Sequence, residues 1–394
     1  MAEPWYKTPA YDSNKPCTHA LIIGTSYYRY LPQNPGDPIP AGVRETLGLE
    51  QATTPASSAL AFAKWLKNSY INHDTPLGSI RMVLSPSPQE AARDPDLANL
   101  PTNVLPATTA NVEAALIDWK HDCEKSRDHM GIFYASGHGI QLNKEDGIVL
   151  LEDFGDPNKV NVLAGAMDII SIWRGMSSAN AAKNQFYFVD ACRIKPELFD
   201  KYNSAPVGVC LDESENGTAE VAPIFFSATS RGYALAVPTS LTLFCQAMFD
   251  SFKLYGVNPP DKNRRWTVTT TSLIKSIKAR VAELAANYGD EQKTIVGGLC
   301  NEVVFHVLDK PPEVPLHVSL SPDGARQYAR ATLRDGLTTK PVFENISFAP
   351  YIDNVVPGGE YILNINIHTA APAYNDVISP VAAFPPRCEK EIVL

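Results

Sequence analysis

From residue 18 to about 310, short unbroken apolar runs alternate with stretches whose apolar residues recur every three or four positions. The runs His19–Gly24, Arg81–Ser85, Met130–Ala135, Ile148–Glu152, Gln185–Val189, Pro223–Ser227 and Ile295–Val307 predict buried strands. The periodic stretches Ser57–Tyr70, Asn111–Lys120, Val162–Met176, Leu241–Phe252 and Ser272–Tyr288 predict helices; the last places Leu273, Ile277, Val281 and Leu284 on one face and stops at Gly289. Between them, Pro86–Thr109 is rich in Pro, Ala, Asp and Asn without a period and predicts a long exposed loop. Strands alternating with helices predict an α/β sandwich of three layers on a largely parallel sheet.

The pattern changes near Pro311-Pro312. Residues 311–394 hold 11 of the 32 prolines, and no helical period runs for three turns. Short alternating pieces take over: His317–Leu320, Ala329–Leu333, Val342–Phe348, Tyr361–Ile367 and Glu391–Leu394, with Pro357-Gly-Gly-Glu-Tyr as a turn. They predict a small all-β sandwich. The expected organisation is an N-terminal segment 1–17, an α/β domain 18–310 and a β domain 311–394.

Composition narrows the function. The chain has 394 residues, 44% hydrophobic and 20% charged, as in a globular protein. No run is long enough to span a bilayer, and Met1–Pro16 has no signal-peptide core, so a cytoplasmic protein without a membrane partner is expected. A net charge of −9 argues against nucleic acid as a partner. The seven cysteines form no Cys-x-x-Cys pair, so no zinc ribbon or metal ligand is assigned, and most are expected to be small buried hydrophobes.

Two strand ends break that bland reading. Phe133-Tyr-Ala-Ser136-Gly137-His138-Gly139 runs an apolar strand into a histidine between glycines, and Phe188-Val-Asp190-Ala-Cys192-Arg193 runs one into a cysteine. In a parallel sheet the carboxyl ends of strands gather catalytic groups. His138 could act there as general base or ion-pair partner to a Cys192 nucleophile. The N–H groups of Gly139 and Cys192 could form an oxyanion hole.

Ser-Gly-His-Gly after one strand and Asp-Ala-Cys-Arg after the next, 54 residues from His to Cys, resemble the caspase-like cysteine peptidases: caspases, metacaspases, paracaspases and bacterial relatives. Ala20–Thr25, Ser57–Leu66 and Phe225–Tyr233 are similar to that family's first strand, first helix and groove-lining loop, so the resemblance spans about residues 18–308. It implies a caspase-like fold and a His138/Cys192 dyad without a third member. The other histidines (19, 73, 121, 129, 306, 317 and 368) are expected to be structural or exposed.

Caspases that cut after aspartate carry glutamine two residues before the nucleophile. This chain has Asp190, as metacaspases and paracaspases do, and lacks an arginine in Tyr233–Val237. A carboxylate at the pocket base attracts a cation. Cleavage after Arg, then Lys, is therefore expected, with Ser136 lining the same pocket and Tyr233 and Leu235 lining an apolar neighbour. The resemblance further suggests a regulated protease in a bacterial defence or cell-death cascade, acting on proteins with exposed Arg or Lys sites under an upstream protease or regulator. Control is expected through rearrangement or cleavage within 193–221. No cofactor is assigned: Glu145, Asp146, Glu152, Asp153 and Asp156 lack the spacing of a calcium loop and read as a solvated acidic loop. Two rivals stay open, a catalytically silent pseudo-peptidase that binds partners and an acyltransferase using the same dyad.

Overall fold

The computed structural model describes residues 3–394 except 10, 13–14, 35, 44–45, 143–146, 178–180, 195–204, 214–218, 230–231, 233, 236–240 and 369–373. Two compact units emerge. One comprises Met1–Phe249 with Ile274–Val303, and the other Asp250–Leu273 with Val304–Leu394. Compactness thus groups residues differently from the change of composition at 311.

In the first unit the chain runs β1 (Tyr6–Lys7), β2 (Thr18–Thr25), α1 (Pro55–Ser69), β3 (Leu77–Ser85), α2 (Pro88–Arg93), α3 (Pro95–Ala98), α4 (Thr109–Glu124), β4 (Met130–Gly137), β5 (Gly139–Ile140), β6 (Ile148–Leu150), β7 (Ala166–Asp168), α5 (Ile169–Met176), β8 (Asn184–Ala191), β9 (Ala222–Phe226) and α6 (Leu243–Asp250). The seven-stranded sheet has the order β1-β3-β2-β4-β8-β9-β11, where β11 is Ile295–Leu299. The five inner strands are parallel and the edge strands β1 and β11 are antiparallel. Every residue of β2 and β4 is buried, as expected of a parallel sheet covered on both faces.

Alternation along the strands assigns the layers. Phe62 of α1 meets Tyr134 and Phe188 at ring distances of 5.1 and 5.8 Å, and the Cys245 thiol of α6 reaches the Ser58 carbonyl, so α1 and α6 share one face. On the other face, Trp119 of α4 packs 5.9 Å from Phe133, and Ile169, Ile172 and Met176 of α5 join its cluster with Tyr187 and Val189. A charged strut crosses this packing. Arg81 of β3, 7% exposed, donates to Asp122 from Nε and Nη2 at 3.0 and 2.7 Å, and to Asp118 at 3.3 Å. Burial pushes the Asp122 carboxyl up, but Lys125 and Arg81 pull it, on balance, below its ordinary range.

Three sequence expectations are corrected. Pro86–Thr109 holds α2 and α3, because Ser87 and Glu90 form a reciprocal capping box with Pro88 at the first helical position. Val162–Met176 is one helix only from Ile169. Asp168 caps that helix by accepting from the Ile170 and Ser171 N–H groups, while residues 166–168 pair with β6. Ile295–Val307 is two strands in two sheets, separated by the polar segment Cys300-Asn-Glu; Gly298, at φ +79°, abuts the Ala222 carbonyl.

The second unit contains β10 (Thr267–Thr269), which is followed directly by α7 (Thr270–Ala286), and β12 (Val304–Val307), which pairs with β10. Its sandwich sets β16 (Ile352–Pro357), β13 (Glu313–Ser321) and β19 (Cys388–Val393) beside β15 (Pro341–Ser347), β14 (Ala329–Asp335), β17 (Gly359–Ile367) and β18 (Val377–Ala383). The strict alternation Val314, Leu316, Val318, Leu320 on β13 and Tyr361, Leu363, Ile365 on β17 supplies the core. Strands β16 and β18 escaped the sequence reading because their inward positions are sparse.

Arg81→Ala is expected to lower the unfolding free energy by about 3 kcal/mol, since the buried Asp118 and Asp122 carboxylates lose the guanidinium while Lys125 stays on Asp122. Urea denaturation followed by circular dichroism measures it; a loss within experimental error would mean that the strut is energetically idle.

Candidate active site

Strands β4 and β8 are neighbours, with Ser136 opposite Asp190 and Gly137 opposite Ala191. His138 and Cys192 are the next residue on each, at the carboxyl end of the sheet, and both are half-buried. Gly139 presses on the cysteine: a Cβ there would lie 2.2 Å from the Cys192 carbonyl oxygen and 2.7 Å from the Ala191 Cβ. No other residue allows that approach.

The histidine is oriented from three sides. Its backbone N–H donates to the Tyr28 hydroxyl at 2.7 Å, its ring lies 4.9 Å from the Tyr28 ring, and its Nε2 stands 2.7 Å from the Glu50 carbonyl oxygen. A carbonyl only accepts, so Nε2 carries the proton and Nδ1 presents a lone pair. Gln51 holds this loop by accepting the Tyr28 N–H and donating to the Tyr28 carbonyl. A third orienting group therefore exists. It is a backbone carbonyl, which the sequence reading had no means of finding.

Burial pulls the His138 imidazole below its ordinary range, partly offset by the Glu50 carbonyl. Burial likewise pushes the Cys192 thiol up, against a lowering contribution from the Ala234 N–H, which donates to Sγ at 3.2 Å. Both shifts favour the uncharged pair. The Ala234 segment is itself held, because Gln292 accepts from the Leu235 N–H at 2.9 Å and donates to the Ser227 carbonyl at 2.8 Å.

Asp190 lies beneath, 2% exposed. Its Oδ2 accepts from the Tyr134 hydroxyl at 2.9 Å and from Thr242. Among the described residues neither its Oδ1 nor the Ser136 Oγ has a partner at hydrogen-bond geometry, although Ser136 is close enough to lower the carboxyl. Burial raises the carboxyl to about 6. Sequence reasoning thus named Asp190 and Ser136 but missed Tyr134, Thr242, Tyr28 and Gln292, whose side chains look like ordinary core or loop residues. Leu235 is half-buried beside Ala234. Tyr233 lies outside the described residues, as do 195–204 and 214–218 of the expected control loop. Of that loop's described part, Val209 and Leu211 are tied to Ala166, Asp168 and Ser171.

The family model of the caspase domain matches residues 90–298, more than half of the chain. The chain belongs to that family. It is also 24% identical over 279 residues, covering 69% of this chain and 78% of the relative, to an uncharacterized protein, y4kE, of Sinorhizobium fredii. The caspase-domain match takes in β4, β8 and both strand-end motifs, whereas β2, α1 and β3 precede it. The protein is accordingly a cysteine-type peptidase on an α/β caspase fold. Among the described residues no helix is long and apolar enough to cross a membrane.

Two groups bear on metals. Glu152 and Asp153 are not a solvated acidic loop: Glu152 binds Arg29 and Ser85, and Asp153 binds Lys159 and Thr109. Glu145 and Asp146 lie outside the described residues. At the other end of the sheet, Cys17, His19 and His129 bring three ligating atoms within 4.8 Å of one another. These histidines were expected to be structural or exposed.

An uncharged dyad has a measurable signature. Alkylation of Cys192 by iodoacetamide, followed by peptide mass spectrometry, is expected to keep rising with pH through 8 and beyond. A thiolate–imidazolium pair would instead give a rate that levels off in the acid range.

Proposed function

We propose that the protein is an endopeptidase that cuts protein substrates after Arg, and next best after Lys, with Cys192 as nucleophile and His138 as general base. The observation that supports this reading is the buried Asp190 carboxylate beside the Ser136 hydroxyl, which lowers its pKa, with no partner at hydrogen-bond geometry for Oδ1 among the described residues. A desolvated carboxylate with an open lone pair is costly unless a cation reaches it. A guanidinium from the substrate would supply two donors in a fixed fork, an ammonium a single point charge.

The chemistry follows from the tautomer. His138 Nδ1 takes the Cys192 thiol proton as sulfur attacks the scissile carbonyl carbon. The carbonyl electron pair moves to oxygen, where the Gly139 and Cys192 N–H groups receive it. When the oxyanion collapses, the peptide C–N bond breaks and His138 returns the proton to the leaving amine. Water, deprotonated by the same nitrogen, then hydrolyses the thioester and restores the thiol. No cofactor enters this scheme.

The wider role we infer is that of a restrained cytoplasmic protease in a bacterial defence or cell-death cascade. The family likeness and the abundance of basic residues on protein surfaces support restraint, with the 193–221 segment, directly after the nucleophile, as its means.

In a fluorogenic peptide panel, Arg and Lys reporters are expected to turn over and an Asp reporter to remain intact. Faster cleavage of the Asp reporter would overturn the pocket assignment. Asp190→Asn should lower kcat/KM for the Arg reporter about a hundredfold at pH 7.5. The ratio of wild type to this variant should then shrink as pH falls through about 6, because the carboxyl gains its proton there and loses its attraction for the cation. A ratio flat with pH would place the cation elsewhere.

Intact mass spectrometry of the wild type beside Cys192→Ala, with and without calcium, tests control. Cleavage within 193–221 that accompanies the appearance of activity is expected. A full-length chain that is fully active without calcium or partner contradicts it, and a wild-type chain that cleaves no peptide after such processing favours the pseudo-peptidase.

A further inference from the structure

The buried groups that the peptidase chemistry leaves unused converge at the amino end of the sheet. Strands β2 and β4 pair in parallel with Thr18 opposite Met130, so the residues just before them, Cys17 and His129, are neighbours. His19 lies two residues on, and alternation returns it to the side of Cys17. The Cys17 Sγ stands 3.3 Å from His19 Nε2 and 3.6 Å from His129 Nδ1. The two imidazoles meet edge to face, 5.0 Å between centroids at 84°. Cys17 is 5% exposed, His19 1% and His129 0%.

We propose that Cys17, His19 and His129 bind one zinc ion, with solvent as the fourth ligand. Tetrahedral zinc holds sulfur at about 2.3 Å and nitrogen at about 2.0 Å, which sets the two ligand atoms roughly 3.5 Å apart. The observed sulfur–nitrogen separations bracket that value. One thiolate and two imidazoles are a borderline-soft set that suits zinc over calcium or magnesium.

The surroundings prepare the ligands. His19 Nδ1 is 2.7 Å from the Ser79 hydroxyl; with Nδ1–H donating there, Nε2 faces the sulfur with its lone pair, the usual outer-shell arrangement of a ligating histidine. His129 Nδ1 accepts the Cys17 N–H at 3.1 Å, so without metal its proton sits on Nε2, which has no partner among the described residues, and binding replaces that N–H···Nδ1 bond by Nδ1–Zn. Gly78 makes the room: a Cβ there would come 2.9 Å from the Cys17 Sγ and 3.3 Å from His19 Cε1. On binding, the S–H bond breaks, its proton leaves to solvent and an S–Zn bond forms, with no change of oxidation state. His129 and His138 lie before and after the same strand, roughly 30 Å apart by the rise of extended chain, so this centre is distinct from the peptidase site.

The test uses the full chain carrying Cys192→Ala, which removes the nucleophilic thiol as a competing ligand. Metal-free protein titrated with Co2+ is expected to take up one equivalent and to develop the intense near-ultraviolet band of a thiolate–cobalt bond, which one equivalent of Zn2+ abolishes. Adding Cys17→Ala or His129→Gln should remove or displace that band, while Cys210→Ala, at an exposed thiol, should leave it unchanged. Absence of the band in the Cys192→Ala chain overturns the proposal, whether or not the Cys17 and His129 variants fold. So does an unaltered band in a folded chain that also lacks Cys17.

Discussion

The parallel register of β4 on β8 is the constraint on which the site depends. Because Ser136 pairs with Asp190 and Gly137 with Ala191, the two motifs leave the sheet side by side, and Ser136 and Asp190 share the face covered by α1 and α6. A slip of one residue would turn Asp190 to the opposite face, away from Tyr134 and Thr242. The register is secured by packing above and below, with Phe62 on one side and Trp119 on the other. The large aromatic side chains of this core therefore serve alignment as much as stability.

Much of the peptidase fold was legible because parallel strands buried on both faces are continuous apolar runs, which announce themselves without a partner. The candidate nucleophile, base and pocket carboxylate were legible for a related reason: polar residues placed directly after such runs have few structural tasks. Groups that act through the backbone were invisible. The Glu50 carbonyl carries no residue-type signal, and Gln292 reaches the Ala234–Leu235 segment from far along the chain. The capping box at Ser87 and Glu90 was readable but was outweighed by the prolines around it. Cys17 and His129 are separated by 112 residues, and only the strand pairing brings them together.

The two ends of the sheet handle buried polarity differently. At the amino end, Arg81, Asp118 and Asp122 satisfy one another, and the thiol and imidazoles nearby are neutral partners. At the carboxyl end, Asp190 Oδ2 accepts from Tyr134 and Thr242, while Oδ1 has no partner at hydrogen-bond geometry among the described residues.

The carbonyl that orients His138 has a consequence for how this site can change over evolutionary time. A carboxylate in that role can be deleted by one codon change or silenced by a proton. The Glu50 oxygen belongs to the main chain and survives replacement of its own side chain, and it does not titrate. Only displacement of the loop that Gln51 ties to Tyr28 can withdraw it. The imidazole is thereby insulated from sequence drift at position 50 and exposed to the folding of a surface segment, so the heritable lever on this dyad is the conformation of that loop.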